Sequence, residues 1–202
     1  MSELGPERVR ELLERHGAVL RGHFLLSSGR HSDLYVEKAR VLERPELTMA
    51  LARELASWYQ GVEVVVAPAV GAVPLGFAVA LAAGARSVFA EREEGRMTLR
   101  RGFAVGAGER ALVVEDVVTT GGSAGEVYEL LGRAGAERLG VAALVDRTVA
   151  PVPFPLRALL RLEAVAWDPS ECPLCRRGAP LLSPGSRHLV APGHPAGGAG
   201  GG

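Results

Sequence analysis

The stretch "ALVVEDVVTTGGSAGEVYELL", residues 111–131, decides the fold class of this chain. An apolar run at residues 112–114 ends on two acids, Glu115 and Asp116, and a pattern typical of a helix begins at Gly122. A continuously apolar run bounded by turn residues is typical of a strand that is buried on both faces. The stretch therefore predicts a buried strand, a tight turn and a helix.

The turn between this strand and this helix has the composition of an anion-binding loop. Glycines permit close approach of the backbone, N–H and hydroxyl groups donate hydrogen bonds, and the start of a helix carries partial positive charge. The residues of the predicted loop are Thr119, Thr120, Gly121, Gly122 and Ser123, directly after Val117 and Val118. The pattern favours a phosphate as the ligand.

The two acids before the loop extend this prediction to a sugar phosphate, because carboxylates accept hydrogen bonds from vicinal hydroxyl groups. Successive strand side chains point to opposite faces, so Glu115 and Asp116 are expected to have different roles. The alternative is a tight strand-to-helix turn with incidental capping residues. The ordered combination of strand, acids and loop favours the ligand interpretation.

The rest of the chain alternates apolar strands with helical segments. This order predicts an α/β fold with a central parallel sheet flanked by helices. Ligands of such sheets bind outside the carboxyl ends of the strands. We therefore expect the loops after Ala67, Ala90, Glu115 and Val145 to meet at one edge.

The length of 202 residues fits one domain, which we place over residues 1–190 with a small N-terminal hood over about residues 1–40. The glycine-rich tail over residues 191–202 is predicted to be disordered. An apolar run at residues 62–85 is interrupted by a glutamate, prolines and glycines, which favours a buried strand, a turn and a buried helix over a membrane span.

The charge balance limits the partners of the chain. There are 23 Lys and Arg against 23 Asp and Glu, so a general nucleic-acid binder is not expected. Lys38 is the only lysine, whereas arginine, whose planar fork suits phosphate and carboxylate, is abundant. The N-terminal segment lacks the apolar region of a secretory signal, and we expect a cytoplasmic protein without membrane attachment.

The two cysteines, Cys172 and Cys175, form one CxxC pair in "ECPLC". A zinc site needs about four ligands, and this pair supplies half of them. Three interpretations stay open: two plain thiols, a disulfide, or a metal shared across a dimer. Plain thiols near a surface turn are favoured.

The order of strand, two acids, two apolar residues and Thr-Thr-Gly-Gly-Ser resembles the phosphoribosyl-pyrophosphate (PRPP) signature of type I phosphoribosyltransferases. Four further segments resemble the orotate phosphoribosyltransferases of that class, and together the resemblance covers roughly residues 5–182. These segments are "GHFLLSSGRHSDLYVE", "APAVGAVPLG", "ALVDRT" and "ECPLCRRGAPL", the last typical of a short bacterial branch.

The resemblance implies the transfer of ribose 5-phosphate from PRPP to orotate, with Mg²⁺ bound through PRPP. It implies that Glu115 and Asp116 bind the ribose hydroxyls, with Asp116 also a catalytic residue. It implies that residues 119–123 hold the 5-phosphate, with Val117 and Val118 beside them in the PRPP site. It places Thr119, Arg147 and Tyr35 beside orotate. Two alternatives stay open for the last two residues: a surface ion pair for Arg147 and ordinary core packing for Tyr35.

Residues 93–110 are polar and poorly periodic, and we expect a mobile loop followed by a hairpin arm there. The charged segment at residues 92–101 is interpreted as a mobile lid, with Arg92 as its PRPP-binding and catalytic residue. The resemblance implies a homodimer in which each lid serves the neighbouring subunit. Family members often carry lysines at the positions of Ser27 and Gly71, and both lysines are missing here. Arginines are the candidates to replace these lysines in binding pyrophosphate.

Two rival functions remain at this point. One is a phosphoribosyltransferase for a purine or another pyrimidine, against which Arg147 argues, since a base without a carboxylate has less use for it. The other is a PRPP-sensing regulator without catalytic activity. Such a regulator should carry a basic face or a DNA-binding appendage, and the sequence shows neither.

Overall fold

The computed structural model describes residues 4–26, 28–163 and 165–184. These residues divide between a larger unit, Met1–Leu20 with Val36–Ala164, and a smaller unit, Arg21–Tyr35 with Val165–Gly202. The predicted disordered tail over residues 191–202 and the missing lysine position Ser27 lie outside the described residues.

The described residues contain nine strands and six α-helices. The strands are β1 Val19–Leu25, β2 His31–Val36, β3 Val64–Pro68, β4 Arg86–Glu93, β5 Arg96–Leu99, β6 Arg110–Val118, β7 Glu137–Asp146, β8 Leu156–Arg161 and β9 Ala166–Trp167. The helices are α1 Pro6–Arg15, α2 Ala39–Leu42, α3 Pro45–Ser57, α4 Val73–Ala83, α5 Gly122–Arg133 and α6 Pro173–Arg176.

The larger unit is built on a six-stranded sheet in the order β5-β4-β3-β6-β7-β8. Neighbouring strands are parallel except that β5 runs antiparallel to β4. The central strand β3 is buried at all five positions, because helices cover both of its faces. The predicted α/β fold with a central parallel sheet is confirmed.

The two faces of β3 pack against different helices. Val64 and Val66 belong to the apolar cluster that includes Val127 and Leu131 of α5. Ala67 lies on the opposite face, where a Cβ built on Gly76 of α4 would be 2.7 Å from its own Cβ. Alternation along the strand thus assigns α5 to one face of the sheet and α4 to the other.

The apolar run at residues 62–85 forms β3, a turn and α4, as predicted. The helix is not fully buried, however, since Phe77 is 61% and Leu81 63% exposed. The two lie four residues apart and therefore share one face of α4. No helix within the described ranges is both long and apolar enough to cross a membrane.

Residues 92–99 of the charged segment belong to a β-hairpin, where the sequence predicted a mobile loop with the hairpin arm after it. Strand β4 continues to Glu93 and β5 returns antiparallel to it, with Glu93 opposite Arg96. The turn residues Glu94 and Gly95 have φ values of 48° and 81°, as a two-residue hairpin turn requires. A hairpin is therefore present as predicted, but the loop predicted before it is wrong, because the charged side chains concealed an alternation that suits an edge strand.

The smaller unit holds most of a three-stranded sheet in the order β1-β2-β9. His31 and Ser32 of β2 pair antiparallel with Trp167 and Ala166 of β9. On the other side, the Leu182 N–H donates to the His23 carbonyl oxygen at 2.8 Å and so extends the sheet. Segments more than 130 residues apart in sequence are therefore brought together in this unit.

Candidate functional site

The cavity at the carboxyl end of β6 is lined by the predicted loop. Its lining residues are Glu115, Val117, Val118, Thr119, Thr120, Gly121, Gly122, Ser123 and Ala124. The first N–H groups of α5 have no partner within the helix and point out of its start toward this cavity. The structure therefore brings one acid, three hydroxyl groups and a helix N-terminus to one concave surface that suits a phosphate.

Gly121 makes the sharp turn at the start of α5. Its φ of +77° lies in the left-handed region. A Cβ at this position would also lie 2.8 Å from Cγ1 of Val152 and 3.0 Å from Cζ of Phe154. Conformation and space both require glycine here, so the turn and the cavity that it shapes depend on this residue.

Glu115 and Asp116 face different surroundings, as strand alternation predicts. Glu115 is half-buried and lines the cavity, whereas Asp116 is 2% exposed. The Val117 N–H donates to Oδ1 of Asp116 at 2.6 Å, and the Asp116 N–H donates to Oε1 of Glu115 at 3.1 Å. The two carboxylates are thus fixed from the backbone side.

Burial raises the pKa of Glu115 to about 8, and the neighbouring negative charge of Asp116 adds to the increase. The Lys38 ammonium opposes this shift. Near neutral pH, Glu115 in the free protein therefore carries a proton that a hydroxyl-rich or cationic ligand can displace.

Lys38 is a site residue that the sequence interpretation missed. Its Nζ lies 2.5 Å from Oδ2 of Asp116. A Cβ built on Gly71 would lie 2.6 Å from the same Nζ and 2.7 Å from Oδ2 of Asp116. The ammonium of Lys38 thus occupies the space beside the position where family members often carry a lysine. Its signal in the sequence was its status as the only lysine among many arginines.

Arg147 follows the carboxyl end of β7, as predicted, and is half-buried. Its backbone N–H donates to the Val118 carbonyl oxygen at 2.8 Å, so it adjoins the predicted phosphate loop. The carboxylate of the preceding Asp146 binds Nη1 of Arg161 at 2.6 Å and accepts from the Thr148 N–H at 2.8 Å. The partners seen for the Asp146 carboxylate are thus Arg161 and Thr148, and not the Arg147 guanidinium that the alternative interpretation would pair with it.

Three arginines in the β4–β5 hairpin and directly after it pair with glutamates. Arg92 Nη2 lies 2.8 Å from Oε1 of Glu126 on α5, and the Met97 N–H donates to Oε2 of the same residue. The hydrogen bond from Arg92 lowers the pKa of Glu126. The other two pairs are Arg100–Glu93 and Arg101–Glu91. Arg92 therefore ties the hairpin to the helix that begins at the phosphate loop.

Tyr35 lies in the smaller unit, where its ring centroid is 5.7 Å from that of Phe24. This contact between two aromatic rings is what the alternative interpretation of Tyr35, ordinary core packing, predicts. Cys172 and Cys175 in the same unit are free thiols, so the disulfide interpretation was wrong.

The phosphoribosyl transferase domain family matches residues 40–153 of the chain. The orotate phosphoribosyltransferase of Caldanaerobacter subterraneus subsp. tengcongensis is 46% identical over 187 residues, which cover 91% of this chain and 98% of that protein. The orotate phosphoribosyltransferase of Thermotoga petrophila is 51% identical over 185 residues, covering 90% and 99%.

Solved structures show the same relationship. Orotate phosphoribosyltransferase from Aeropyrum pernix matches with a TM-score of 0.64 at 27% identity, covering 77% of this chain and 94% of that chain. The Mycobacterium tuberculosis enzyme in complex with inorganic phosphate matches with a TM-score of 0.60 at 30% identity, covering 78% and 97%. An adenine phosphoribosyltransferase from Rhodothermus marinus, 22% identical with a TM-score of 0.61, covers 77% and 99% and shares the fold.

The parallel sheet, with a cavity that suits a phosphate after two acids at a strand end, is the arrangement of a type I phosphoribosyltransferase fold. The sequence similarity to orotate phosphoribosyltransferases, which covers about nine tenths of the chain, identifies the family more specifically than the fold does. The chain belongs to the phosphoribosyl transferase family, and within it to the orotate phosphoribosyltransferases. The resemblance inferred from the sequence is confirmed.

Proposed function

We propose that this chain transfers the 5-phosphoribosyl group from PRPP to orotate, giving orotidine 5-phosphate and pyrophosphate in pyrimidine nucleotide synthesis. The observation that carries the proposal is the cavity lined by Glu115 and residues 117–124. It lies in a chain that is 46–51% identical to orotate phosphoribosyltransferases over about nine tenths of its length. A loop of this kind suits the 5-phosphate, and carboxylates at its entrance suit the ribose hydroxyls.

The roles of the site residues follow from their chemistry. N–H and hydroxyl groups at residues 119–123 hold the 5-phosphate, while Glu115 and Asp116 accept hydrogen bonds from ribose hydroxyls. Arg147 offers a bidentate guanidinium to the orotate carboxylate, with Thr119 and Tyr35 beside the base. The position of Arg147 after β7, joined to Val118, supports its part in this proposal.

The reaction breaks the C1–O bond of PRPP, so positive charge develops on the ribose ring and negative charge on pyrophosphate. Lys38 places an ammonium beside Asp116 and Gly71, where it favours binding of the negatively charged diphosphate. The carboxylate oxygens at the end of β6 are of the kind that Mg²⁺ accepts, and a Mg²⁺ ion bound with PRPP would supply further charge neutralisation there. Arg92 is the hairpin residue proposed to approach the leaving group, after release from Glu126.

The proposed mechanism uses positioning and electrostatic stabilisation, with direct attack of the orotate ring nitrogen on C1. No covalent bond to the protein forms. The proton on Glu115 is displaced when the carboxylate accepts hydrogen bonds from the ribose. PRPP binding should therefore release protons, and its affinity should increase as the pH approaches the pKa of Glu115.

The assembly proposed is a homodimer that acts in the cytoplasm, with each hairpin serving the neighbouring subunit. The exposed apolar side chains Phe77 and Leu81 on one face of α4 support an interface with a second copy. The domain prediction of one unit over residues 1–190 with a hood over about residues 1–40 stays a prediction.

A base-panel assay tests the function. The full chain is incubated with PRPP and Mg²⁺ and, in turn, with orotate, adenine, xanthine and uracil, and pyrophosphate release is measured. Turnover of orotate far above the other bases is expected. Preferential turnover of another base would replace the proposal with the first rival, and PRPP binding without turnover of any base would replace it with a regulator.

A further inference from the structure

Four potential metal ligands converge in the smaller unit, and none of them has been assigned a part in the transfer reaction. They are His23 of β1, His31 at the start of β2, Cys172 directly before α6, and Cys175 within α6. One ligand atom from each lies within 4.8 Å of all the others. The sequence showed only the CxxC pair, because the two histidines lie about 150 residues earlier in the chain.

The distances within this His₂Cys₂ cluster match those around a tetrahedral ion. Nε2 of His23 lies 3.5 Å from Sγ of Cys172 and 3.6 Å from Sγ of Cys175, and Nδ1 of His31 lies 3.3 Å from Sγ of Cys175. Tetrahedral zinc bonds of about 2.3 Å to sulfur and about 2.0 Å to nitrogen imply sulfur–nitrogen separations of about 3.5 Å. The two ring nitrogens are 2.9 Å apart, somewhat closer than the roughly 3.3 Å of that geometry.

The outer nitrogen of His23 is fixed in the way that metal-binding histidines require. Its Nδ1 lies 2.9 Å from the Ala179 carbonyl oxygen and donates a hydrogen bond to it. A neutral ring that donates from Nδ1 presents the lone pair of Nε2 to the cluster. A backbone carbonyl behind a histidine ligand is the usual second partner in metal sites.

Ordinary hydrogen bonding does not account for this arrangement. A ring nitrogen of histidine carries one proton or one lone pair and can therefore make one good hydrogen bond. Three atoms nevertheless lie close to Nε2 of His23, namely Nδ1 of His31 and the two cysteine sulfurs. Thiols are weak hydrogen-bonding groups, and Cys172 is completely buried beside the two buried histidines. Convergence of soft and borderline ligands on one point is typical of a bound ion at that point.

We propose that the His₂Cys₂ cluster binds one Zn²⁺ per chain in a closed, four-coordinate structural site. Zinc is the metal that two sulfur and two nitrogen ligands in a tetrahedron select. Binding replaces the two thiol protons, which leave to solvent, so that two thiolates and two neutral imidazoles balance the double positive charge of the ion. The cluster is then neutral overall, which suits its burial.

The site also explains how the smaller unit is held together. Its described buried apolar residues are Phe24, Leu34 and Cys172, a small core for segments so distant in sequence. A structural zinc ion stabilises such units because its binding free energy adds to that of folding. The ion would fasten β1 and β2 to the segment around α6.

Metal analysis of the untagged full chain tests the proposal. The protein is purified under a reductant that does not bind metals and is then assayed for zinc by mass spectrometry, and separately loaded with Co²⁺ after chelation. One zinc per chain is expected, and the cobalt form should show the visible absorption of tetrahedral thiolate coordination. Less than stoichiometric zinc together with an octahedral cobalt spectrum would overturn the proposal.

Variants then locate the ion. His31→Asn and Cys175→Ser should each lose at least about tenfold in zinc affinity, since removing even an outer partner of a ligand typically costs that much. The control His16→Asn changes a histidine outside the cluster and should bind zinc as the parent does. Chelation should lower the melting temperature of the parent and of the control, but change that of Cys175→Ser little. Equal zinc binding by all these proteins would contradict the assignment.

Discussion

The carboxylates of Glu115 and Asp116 are one residue apart and lie in different electrostatic surroundings. Asp116 is buried against the Lys38 ammonium, whereas Glu115 opens on the cavity with a raised pKa. The sequence predicted that the two side chains point apart, because strand alternation is a local rule. It could not predict the partner of Asp116, because Lys38 is brought there only by the tertiary fold.

Asp116→Asn should reduce kcat/KM for PRPP by roughly ten- to 150-fold, the effect of losing a charge-assisted hydrogen bond of about 1.5–3 kcal/mol. Folding should be largely retained, because the amide oxygen still accepts from the Val117 N–H and Lys38, 41% exposed, can turn to solvent. Steady-state kinetics and thermal melting measure the two effects. Glu129→Gln, which alters an exposed pair with Arg138, is the control. Proportionate loss of stability and activity would favour a structural role for Asp116.

Lys38→Ala should weaken PRPP binding by about tenfold or more, because it leaves the Asp116 carboxylate without its cation. Gly71→Lys in that background should restore part of the affinity, since the new side chain begins beside the vacated space. The Asp116 carboxylate must shift slightly, because its Oδ2 would lie 2.7 Å from the new Cβ. Titration calorimetry with PRPP measures both. Arg40→Ala, which changes an exposed pair with Glu43, should bind as the parent does. Unchanged affinity in Lys38→Ala would remove Lys38 from the site.

The raised pKa of Glu115 predicts a pH-dependent stability. The unfolded chain loses this proton near the ordinary pKa of 4.5, while the folded chain keeps it up to about 8. The folded state therefore binds more protons between these values, and the free energy of unfolding falls as the pH rises through this window. Glu115→Gln should reduce that slope. Urea unfolding at several pH values checks this, and an identical slope in both proteins would refute it.

At the scale of the elements, the alternation of strands and helices was predictable because each element carries its own periodicity. The position of the β4–β5 hairpin was not, since the charged residues from Glu93 to Arg96 suggest a solvated loop. Its pairing is stabilised by contacts with Glu126 on α5, which no local pattern reveals. The sequence also did not predict that one face of α4 is exposed, because an apolar sequence favours a helix that is buried all round.

Gly76→Ala should destabilise the protein by about 1–3 kcal/mol, because the new Cβ would lie 2.7 Å from the Cβ of Ala67, which cannot rotate away. Gly132→Ala is the matched control in helix α5. The three atoms nearest to its new Cβ belong to the end of the flexible Arg138 side chain, which can move aside, so the gain in helix propensity should leave stability unchanged or higher. Denaturant unfolding compares the two, and equal stability would show that α4 can shift away from β3.

At the scale of the whole molecule, the family could be inferred from one contiguous stretch and four supporting segments. The His₂Cys₂ cluster could not, because its ligands are contributed by both ends of the described chain. Spacing identifies a metal site only where all ligands are close in sequence. The two cysteines alone therefore favoured plain thiols.

The proposed homodimer gives a prediction at the same scale. Replacing both Phe77 and Leu81 by aspartate should shift the protein toward monomer, since charges would then lie on the apolar face of α4. Light scattering after gel filtration measures the mass. Replacement of the exposed Glu11 and Glu14 on α1 by glutamine is the control. A dimer that persists in the double variant would place the interface elsewhere.

The presence of a single lysine has a consequence for chemical labelling. Reagents that acylate amines can modify only the ε-amino group of Lys38, besides the α-amino group of the chain. That ε-amino group lies against Asp116 at the end of β6, in the proposed path of the diphosphate. The acylation rate of one peptide, followed by mass spectrometry, would thus report occupancy of this site without an introduced probe.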